Sequence, residues 1–297
     1  MRKRNKIILI FLIVLIISFF FINCNSQQKD TIIVAHKNYT EQRIIGEAVG
    51  QYLINKGFDV EVKELGGTLQ CFNALQKDGA DIYCEYTGTT YSSIFNQTKN
   101  LGKDATYDYV KKRCEEEYGI TWLKPLGFNN TYELVVNKDF ANKYNLKNIS
   151  DLKPIANQLI LGGDQEFPIR EGDGYSAFIG TYGFGFKEYK GMPYSKTAQT
   201  LVNKEVDILA YYSTDGRISK YNFVSLIDDK GVFPPYYCTP IMKEDFAKQN
   251  PEVVDALNLL GNKFTDADMQ KYNLMVDEGS SIKETATKML QDKNLIK

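Results

Sequence analysis

Residues 31–86 read TIIVAHKNYTEQRIIGEAVGQYLINKGFDVEVKELGGTLQCFNALQKDGADIYCEY, and the pattern of this segment indicates the fold class. Three short runs rich in apolar residues, Thr31–Ala35, Val60–Val62 and Asp81–Glu85, have the length and composition of strands. Between them apolar residues recur at helical spacing, first after Thr40 and again before the third run. The alternation predicts a β-α-β-α-β unit, which forms a parallel sheet through right-handed crossovers.

The same alternation continues along the rest of the chain. Further strands are predicted at Ile120–Leu123, Glu133–Val136, Leu159–Leu161, Val206–Tyr211 and Phe223–Ile227. Helices are predicted after Ser150, at Thr197–Asn203, at Pro251–Leu260 and at Ser281–Leu290, and the chain after Pro240 is expected to be mostly helical. A chain of this length is best accommodated by two α/β lobes, each of about 150 residues or fewer.

Composition and charge narrow the class of protein. The chain has 297 residues, of which 43% are hydrophobic and 25% charged, so it is globular rather than disordered or collagen-like. Its 36 basic and 37 acidic residues show no basic excess, which argues against a nucleic-acid partner. His36 is the one histidine of the sequence, which excludes catalytic mechanisms that need several histidines.

The N-terminus is typical of an export signal. Basic residues at positions 2, 3, 4 and 6 precede a run from Ile7 to Ile22 that is apolar except at Ser18, and a polar stretch follows. Cys24 at the end of the run resembles the lipidated cysteine of bacterial lipoproteins. We therefore predict a lipoprotein signal peptide over residues 1–24 and an extracytoplasmic, membrane-anchored protein; the alternative is an uncleaved N-terminal anchor.

Four cysteines follow the signal, at positions 71, 84, 114 and 238. None is spaced as a CxxC pair, so the sequence predicts neither a zinc ribbon nor a thioredoxin-like redox pair. An exported protein can form disulfides, and four cysteines allow three pairings. Disulfides and buried free thiols both remain open at this point.

Motifs of catalysis and cofactor binding are missing from the sequence. It contains no GxSxG, HExxH, phosphate-binding GxxxxGK[ST] or dinucleotide fingerprint. The glycine-rich stretch Gly180–Gly185 has no strand before it, and we interpret it as a helix end and a turn. The sequence therefore predicts no enzyme and no cofactor.

Four tyrosines stand out among the twenty, because each lies beside turn residues at a predicted strand end. They are Tyr86, Tyr132, Tyr212 and Tyr236. In open α/β sheets, ligands bind beyond the carboxyl ends of the strands, so these rings could converge on one cavity. Position alone leaves the alternative open that they pack at half-buried edges.

Six ordered motifs favour the cavity. They are Lys37-Asn38-Tyr39-Thr40-Glu41-Gln42, Leu65-Gly66-Gly67-Thr68, Glu85-Tyr86-Thr87-Gly88-Thr89, Arg170 ahead of Asp173-Gly174-Tyr175, Tyr212-Ser213-Thr214-Asp215 and Phe233-Pro234-Pro235-Tyr236. Together they resemble the substrate-binding proteins of osmoprotectant ABC importers, the glycine betaine/carnitine/choline group. The resemblance covers nearly all of residues 30–297.

The resemblance implies a two-lobed type II periplasmic-binding-protein fold with the ligand cleft between the lobes. Residues 30–127 plus 228–297 would form lobe I, and residues 128–227 lobe II. Tyr86 and Tyr236 from one lobe and Tyr132 and Tyr212 from the other would form the cage. His36 and Tyr39 depart from the usual residues of the first motif, and neither is expected to touch the cage.

A tyrosine cage suits a trimethylammonium group, which has no N–H and is attracted by the faces of aromatic rings. Arg170 fits the carboxylate of a betaine or carnitine, since its guanidinium is a fixed planar donor. A structural ion pair with Asp173 is the alternative for Arg170. Thr89 and Asn130 are secondary polar candidates for ligand contacts.

The sequence thus predicts a binding protein that hands a quaternary ammonium compound to a membrane permease. After residue 30 no permease segment follows, so separate permease and ATPase subunits would be the partners. The alternative within the same fold is a receptor for an amino acid or another small cation. A two-lobed enzyme is less favoured, because no nucleophile or base is placed for catalysis.

Overall fold

The structure, a computed structural model, describes residues 31–297; the predicted signal over residues 1–24 and Cys24 lie outside the described residues. The strands are β1 (Ile32–Lys37), β2 (Val60–Gly66), β3 (Ile82–Tyr86), β4 (Ile120–Trp122), β5 (Tyr132–Val136), β6 (Ile160–Gly163), β7 (Glu188–Gly191), β8 (Ile208–Tyr212), β9 (Val224–Leu226) and β10 (Cys238–Lys243).

The helices alternate with these strands and close the chain. They are α1 (Thr40–Asn55), α2 (Thr68–Gln76), α3 (Lys103–Tyr118), α4 (Lys138–Tyr144), α5 (Tyr175–Tyr182), α6 (Tyr194–Val202), α7 (Gly216–Lys220), α8 (Glu244–Gln249), α9 (Pro251–Asn258), α10 (Asp266–Asp277) and α11 (Ile282–Asp292). Shorter helical turns lie at Thr87–Thr89, Thr90–Ile94, Ile149–Leu152 and Ala156–Gln158.

The first sheet has the strand order β2-β1-β3-β10-β4. Strand β1 is parallel to β2 and β3, as predicted for the β-α-β-α-β unit, whereas β10 is antiparallel to β3 and β4. Alternate residues face two cores: Val34 and Ile82 pack with α1 on one face, and Ala35 and Tyr83 pack with α2 and α3 on the other. A sheet covered by helices on both faces needs these near-continuous apolar strands.

The second sheet has the strand order β7-β6-β8-β5-β9. Here β6 is parallel to β7 and β8, and β5 is antiparallel to β8 and β9. The two faces again hold separate cores, one around Leu134 and Ile208 and the other around Val135 and Leu209. Two mixed sheets with helices on both faces confirm the predicted α/β class.

Two segments connect the sheets, one after β4 and the other before β10. They run side by side, because Asn129 forms an isolated antiparallel bridge with Tyr237 and the N–H of Asn130 donates to the carbonyl of Tyr236 over 3.1 Å. Both segments therefore carry candidate site residues to the region between the two sheets. The lobe boundaries at residues 127/128 and 227/228 stay a prediction.

Some elements were not predicted. The chain after Pro240 is mostly helical, as predicted, but Cys238–Lys243 forms β10 in the middle of the first sheet. Pro240 disfavours a central strand because it has no N–H for the ladder. Here it lies opposite Cys84 and still accepts from the N–H of Leu123 through its carbonyl. Helix α3 was not predicted, because it is highly charged and buries few side chains.

The cysteines at positions 71, 84, 114 and 238 are all buried free thiols, which decides between the two alternatives that the sequence left open. Within residues 31–297, no helix combines the length and the apolar character that crossing a membrane requires.

Candidate functional site

The four candidate tyrosines come from four separate points of the fold. Tyr86 is the last residue of β3, Tyr212 is the last residue of β8, and Tyr132 is the first residue of β5. Because β5 and β8 are antiparallel, their register places Tyr132 directly opposite Tyr212. Tyr236 lies in the second connecting segment, just before β10. Both sheets therefore contribute rings to the region between them.

A cavity of about 720 Å³ lies at this point. All seven candidate ligand-binding residues line it, namely Tyr86, Thr89, Asn130, Tyr132, Arg170, Tyr212 and Tyr236. Its wall also contains Tyr39, Thr40, Glu41, Asp173, Tyr194, Ser195, Thr214, Asp215, Arg217, Asn273 and Asp277. The structure thus brings the predicted site residues together, while their contact with a ligand stays a prediction.

Tyr132 and Tyr212 form one wall of the cavity. Their rings stack with centroids 4.7 Å apart and an interplanar angle of 29°. Their hydroxyl groups are 2.9 Å apart, and both donate to Oδ2 of Asp164, over 3.4 Å from Tyr132 and 3.1 Å from Tyr212. Burial raises the pKa of both phenols above the usual value, so the rings stay neutral.

Tyr236 is held by the turn that follows β3. The hydroxyl of Thr87 donates to the carbonyl of Pro235 over 3.0 Å and accepts from the N–H of Tyr237 over 3.0 Å. The N–H of Thr87 in turn donates to the carbonyl of Tyr237 over 3.1 Å. Two of the six motifs, the one that contains Tyr86 and the one that ends at Tyr236, are therefore interlocked.

Arg170 forms the ion pair with Asp173 that the sequence left open as its alternative role. Nε donates to Oδ1 over 2.8 Å and Nη2 to Oδ2 over 2.5 Å, and Nη2 also donates to the hydroxyl of Tyr236 over 2.8 Å. Arginine carries five N–H donors, so these bonds leave the two on Nη1. Within residues 31–297 no acceptor is bonded to Nη1, and a third of the side chain is exposed.

Glu41 is a site residue that sequence reasoning missed. It lies in the first turn of α1 and is 3% exposed. Its Oε1 accepts from the hydroxyl of Tyr86 over 2.6 Å and from Nδ2 of Asn130 over 2.8 Å, and its Oε2 accepts from Nδ2 of Asn273 over 3.1 Å. Burial raises the pKa of this carboxyl, and hydrogen bonds to it act in the opposite direction. Glu41 belongs to the first motif, but its position directly after Thr40 predicted only the start of a helix.

Tyr39 also lines the cavity, so the expectation that it stays away from the cage is wrong. It directly precedes α1, and although 40% of the residue is exposed, burial raises the pKa of its phenol, which forms a hydrogen bond with Tyr86. Tyr194 and the pair Asp215 and Arg217 line the cavity as well and were not predicted. Tyr194 follows Pro193 at the start of a helix, whereas the four predicted tyrosines were identified by their position at predicted strand ends.

Lys37, from the same motif as Glu41, lies beneath the site. Its Nζ pairs with Oε1 of Glu85 over 2.5 Å, and both side chains are nearly fully buried. Glu85 Oε1 also accepts from the N–H of Tyr86 over 2.7 Å. This buried pair therefore fixes the backbone at the residue that carries the Tyr86 ring, 5.3 Å from Lys37 Nζ.

The sequence and the fold match known proteins over nearly the whole chain. Residues 30–292 match the model of the family described as the substrate binding domain of ABC-type glycine betaine transport system. The chain is 34% identical to the carnitine transport binding protein OpuCC of Listeria monocytogenes over 92% of each chain. It is 31% identical to the glycine-betaine-binding protein of Pseudomonas aeruginosa, over 91% of this chain and 90% of that one.

A solved structure described as a glycine betaine/carnitine/choline ABC transporter superposes with a TM-score of 0.83 at 27% identity, covering 89% of this chain and 99% of the other. The predicted two-lobed periplasmic-binding-protein fold is thereby confirmed. This chain belongs to the family of substrate-binding domains of ABC-type glycine betaine transport systems, and it is an extracytoplasmic substrate-binding component of an ABC importer rather than an enzyme.

Proposed function

We propose that the protein binds a quaternary ammonium osmolyte, such as glycine betaine, carnitine or choline, in the cavity that the four tyrosines line. The observation that carries this proposal is the combination of Tyr86, Tyr132, Tyr212 and Tyr236 with a buried carboxylate, Glu41, in one cavity. The similarity to a carnitine transport binding protein and to a glycine-betaine-binding protein supports the same class of ligand.

The aromatic rings account for recognition of a cation that cannot donate a hydrogen bond. Each ring face contributes about 0.5–2 kcal/mol to the binding of a quaternary ammonium, depending on how fully the contact is desolvated. Four rings therefore contribute several kcal/mol, and micromolar binding requires about 8 kcal/mol in total. Neutral phenols serve this purpose without the desolvation of a second charge.

Glu41 adds a negative charge whose hydrogen-bond partners are neutral. Its oxygens accept from a phenol, Tyr86, and from two amides, Asn130 and Asn273. The other acidic groups of the cavity wall lie beside arginines: Asp173 and Asp215 are each paired with one, and Asp277 interacts with Arg217. The carboxylate of Glu41 is therefore the charge that a bound ammonium would balance.

Polar groups at the same cavity would hold the other end of the ligand. The free Nη1 of Arg170 is suited to a carboxylate, because guanidinium donors match its two oxygens. Thr89 lines the cavity in the turn after β3. Asn130 donates from Nδ2 to Glu41, so it contacts a ligand through its remaining groups while it holds the carboxylate in place.

Delivery to the importer follows from this assignment. Residues 30–127 with 228–297 and residues 128–227 would close around the ligand, and the closed form would dock on a permease coupled to an ATPase.

A lipid on Cys24 would keep the protein at the membrane. Replacing Cys24 by Ala should release the protein from membranes or leave an uncleaved precursor; a variant still processed at the same site and acylated would contradict the lipid anchor.

Calorimetry with the full-length chain in detergent tests the ligand class. Titration with glycine betaine, carnitine and choline should show binding of at least one, and titration with proline should show much weaker binding. Arg170→Gln should weaken glycine betaine and carnitine more than choline, which has no carboxylate. Preference for proline or for a primary ammonium compound would replace this proposal by an amino-acid receptor on the same fold.

A further inference from the structure

One end of the cavity is not used by the proposed cage. Tyr194, Asp215 and Arg217 line it there, together with Ser195 and Asp277. The volume of about 720 Å³ is in the upper part of the range for small-molecule sites, about 300–1,000 Å³. Glycine betaine has only eight heavy atoms, so a ligand of that size leaves this end free.

A row of aromatic rings leads from the cage to this end. The guanidinium carbon of Arg170 lies 5.4 Å from the ring centroid of Tyr132, and the rings of Tyr132 and Tyr212 are 4.7 Å apart. The next ring, Tyr194, is 5.2 Å from Tyr212, and the guanidinium carbon of Arg217 is 4.8 Å from Tyr194. The row is therefore three tyrosines with an arginine at each end.

The two ends of the row have the same construction. At one end Asp173 accepts from Nε of Arg170 through Oδ1, and from Nη2 of Arg170 and the hydroxyl of Tyr236 through Oδ2. At the other end Asp215 accepts from Nε of Arg217 through Oδ1, over 2.9 Å, and from Nη2 of Arg217 through Oδ2, over 2.6 Å.

The tyrosine of this second group is Tyr194, whose hydroxyl donates to Oδ2 of Asp215 over 2.6 Å. Nη1 of Arg217 has one long contact, 3.4 Å to the carbonyl of Tyr194. Arg217 is 17% exposed and its aspartate 9%, so the guanidinium is fixed in place and still reaches the cavity. Each end thus presents one guanidinium that an aspartate and a phenol hold rigid.

We propose that Arg217 and Tyr194 form a second carboxylate subsite, which binds the distal end of a ligand whose ammonium occupies the cage. This inference rests on the proposed function and extends its substrate class to zwitterions in which a chain longer than that of carnitine separates the quaternary ammonium from the carboxylate. The chain of such a ligand lies along Tyr212 and Tyr194, and its carboxylate accepts from the N–H donors of Arg217 that Asp215 leaves free.

A series of ligands with increasing chain length tests the subsite. Calorimetry on the full-length chain in detergent would compare trimethylammonium acetate, butanoate and hexanoate, where the acetate is glycine betaine, with choline as the ligand that has no carboxylate. Arg217→Gln should weaken the hexanoate about tenfold or more and change glycine betaine, the butanoate, whose chain has the length of carnitine's, and choline by less than about twofold. Arg170→Gln should weaken glycine betaine most.

Matched variants separate this effect from a loss of structure. Arg113→Gln changes an arginine on α3 outside the cavity and should leave every ligand unaffected. Tyr194→Phe keeps the ring and removes one bond to Asp215, so it should cause a smaller loss that again is confined to the hexanoate. Thermal unfolding identifies a variant that has lost its fold, and Tyr194→Phe then decides the question.

The outcomes distinguish the two proposals. If the parent protein binds none of these compounds, the proposed function itself is wrong. If it binds glycine betaine or choline but not the hexanoate, or if Arg217→Gln weakens all ligands alike or leaves the hexanoate within about twofold, the second subsite is wrong and the cage stands.

Discussion

The ring of Tyr236 lies directly against the backbone of Gly88. A Cβ added to Gly88 would be 2.7 Å from Cδ1 and Cε1 of that ring and 2.8 Å from the carbonyl oxygen of Pro235. A contact this close leaves no room for any side chain at position 88. The glycine of the motif around Tyr86 is therefore required by the ring of the motif that ends at Tyr236.

We expect Gly88→Ala to displace the Tyr236 ring and to weaken ligand binding about tenfold or more, although it removes no ring from the cavity. Calorimetry with the best ligand measures the loss. The matched control is Gly180→Ala on α5, where an added Cβ meets nothing within 4 Å. If Gly88→Ala binds like the parent, the position of Tyr236 does not matter for the ligand.

Removal of a single ring from the stacked pair should weaken binding measurably. For Tyr132→Ala and Tyr212→Ala we expect a loss of at least about 1 kcal/mol each, or about fivefold in affinity. Tyr132→Phe and Tyr212→Phe should cost less, because they keep the ring and lose only the contacts of one hydroxyl group with Asp164 and with the other phenol. Tyr144→Ala, at a half-exposed ring outside the cavity, is the control.

The combined result decides whether the rings form a cage. If both alanine variants keep their thermal stability and bind the best ligand as the parent does, the rings only pack against each other. We do not expect the two losses to add, since the residues are in contact.

Choline binding should depend on pH through Glu41. Because burial raises the pKa of this carboxyl, lowering the pH protonates it early and removes the charge that faces the ammonium. Affinity for choline, which carries no titrating group in this range, should therefore rise with pH and then level off. In Glu41→Gln the affinity should be lower and nearly independent of pH, whereas Glu47→Gln on the same helix should behave like the parent.

A pH dependence that persists unchanged in Glu41→Gln would assign the titration to another group. Titrations of both variants and the parent between pH 5 and pH 8 are sufficient to make the comparison.

Glu133 should make the protein less stable as the pH rises. Burial raises the pKa of Glu133 to about 7, from an ordinary value of 4.5. Between these values the folded state binds more protons than the unfolded state, so the free energy of unfolding falls as the pH increases. Glu133→Gln removes this term and can still accept from the hydroxyl of Ser225, 2.6 Å from Oε1 in the parent.

Urea unfolding at pH 5 and pH 8 measures this effect. The stability of Glu133→Gln relative to the parent should be greater at pH 8 than at pH 5. Glu188→Gln, an exposed carboxylate on edge strand β7, should show no such change. An equal difference at both pH values would contradict the prediction.

The sequence predicted those parts of the fold in which local pattern and burial agree. The strands and helices of residues 31–86 were identified because their apolar residues follow one period in each element. Strand β10 was not predicted, because Pro240 is unfavourable in a central strand despite the apolar residues around it. The position of β10 in the sheet also depends on pairing with β3, which is distant in sequence. Helix α3 was not predicted, because only three of its side chains are buried and they give no clear helical pattern of apolar residues.

Among the site residues, too, some could be predicted from local sequence and others could not. Tyr86 and Tyr212 could be identified because they end strands, where open α/β sheets bind ligands. Tyr132 and Tyr236 lie at or just before the starts of antiparallel strands and so reach the same edge. Glu41 and Arg217 lie in first turns of helices, where the sequence identifies a helix start but not which neighbour a side chain meets. Asn273, a partner of Glu41, comes from the other end of the chain, and Tyr194, beside Arg217, comes from another helix, so only the tertiary fold brings them together.

Asp164 determines how much freedom the Tyr132 and Tyr212 rings have before a ligand arrives. Its Oδ1 accepts from the backbone N–H groups of Glu166 and Phe167, over 3.0 and 2.8 Å, while its Oδ2 accepts from both phenols. Immobilising a side chain on binding costs about 0.5–1.5 kcal/mol of conformational entropy. For these two rings that entropy is already lost on folding. Ligand contacts with this wall therefore contribute to affinity without a further loss of side-chain conformational entropy.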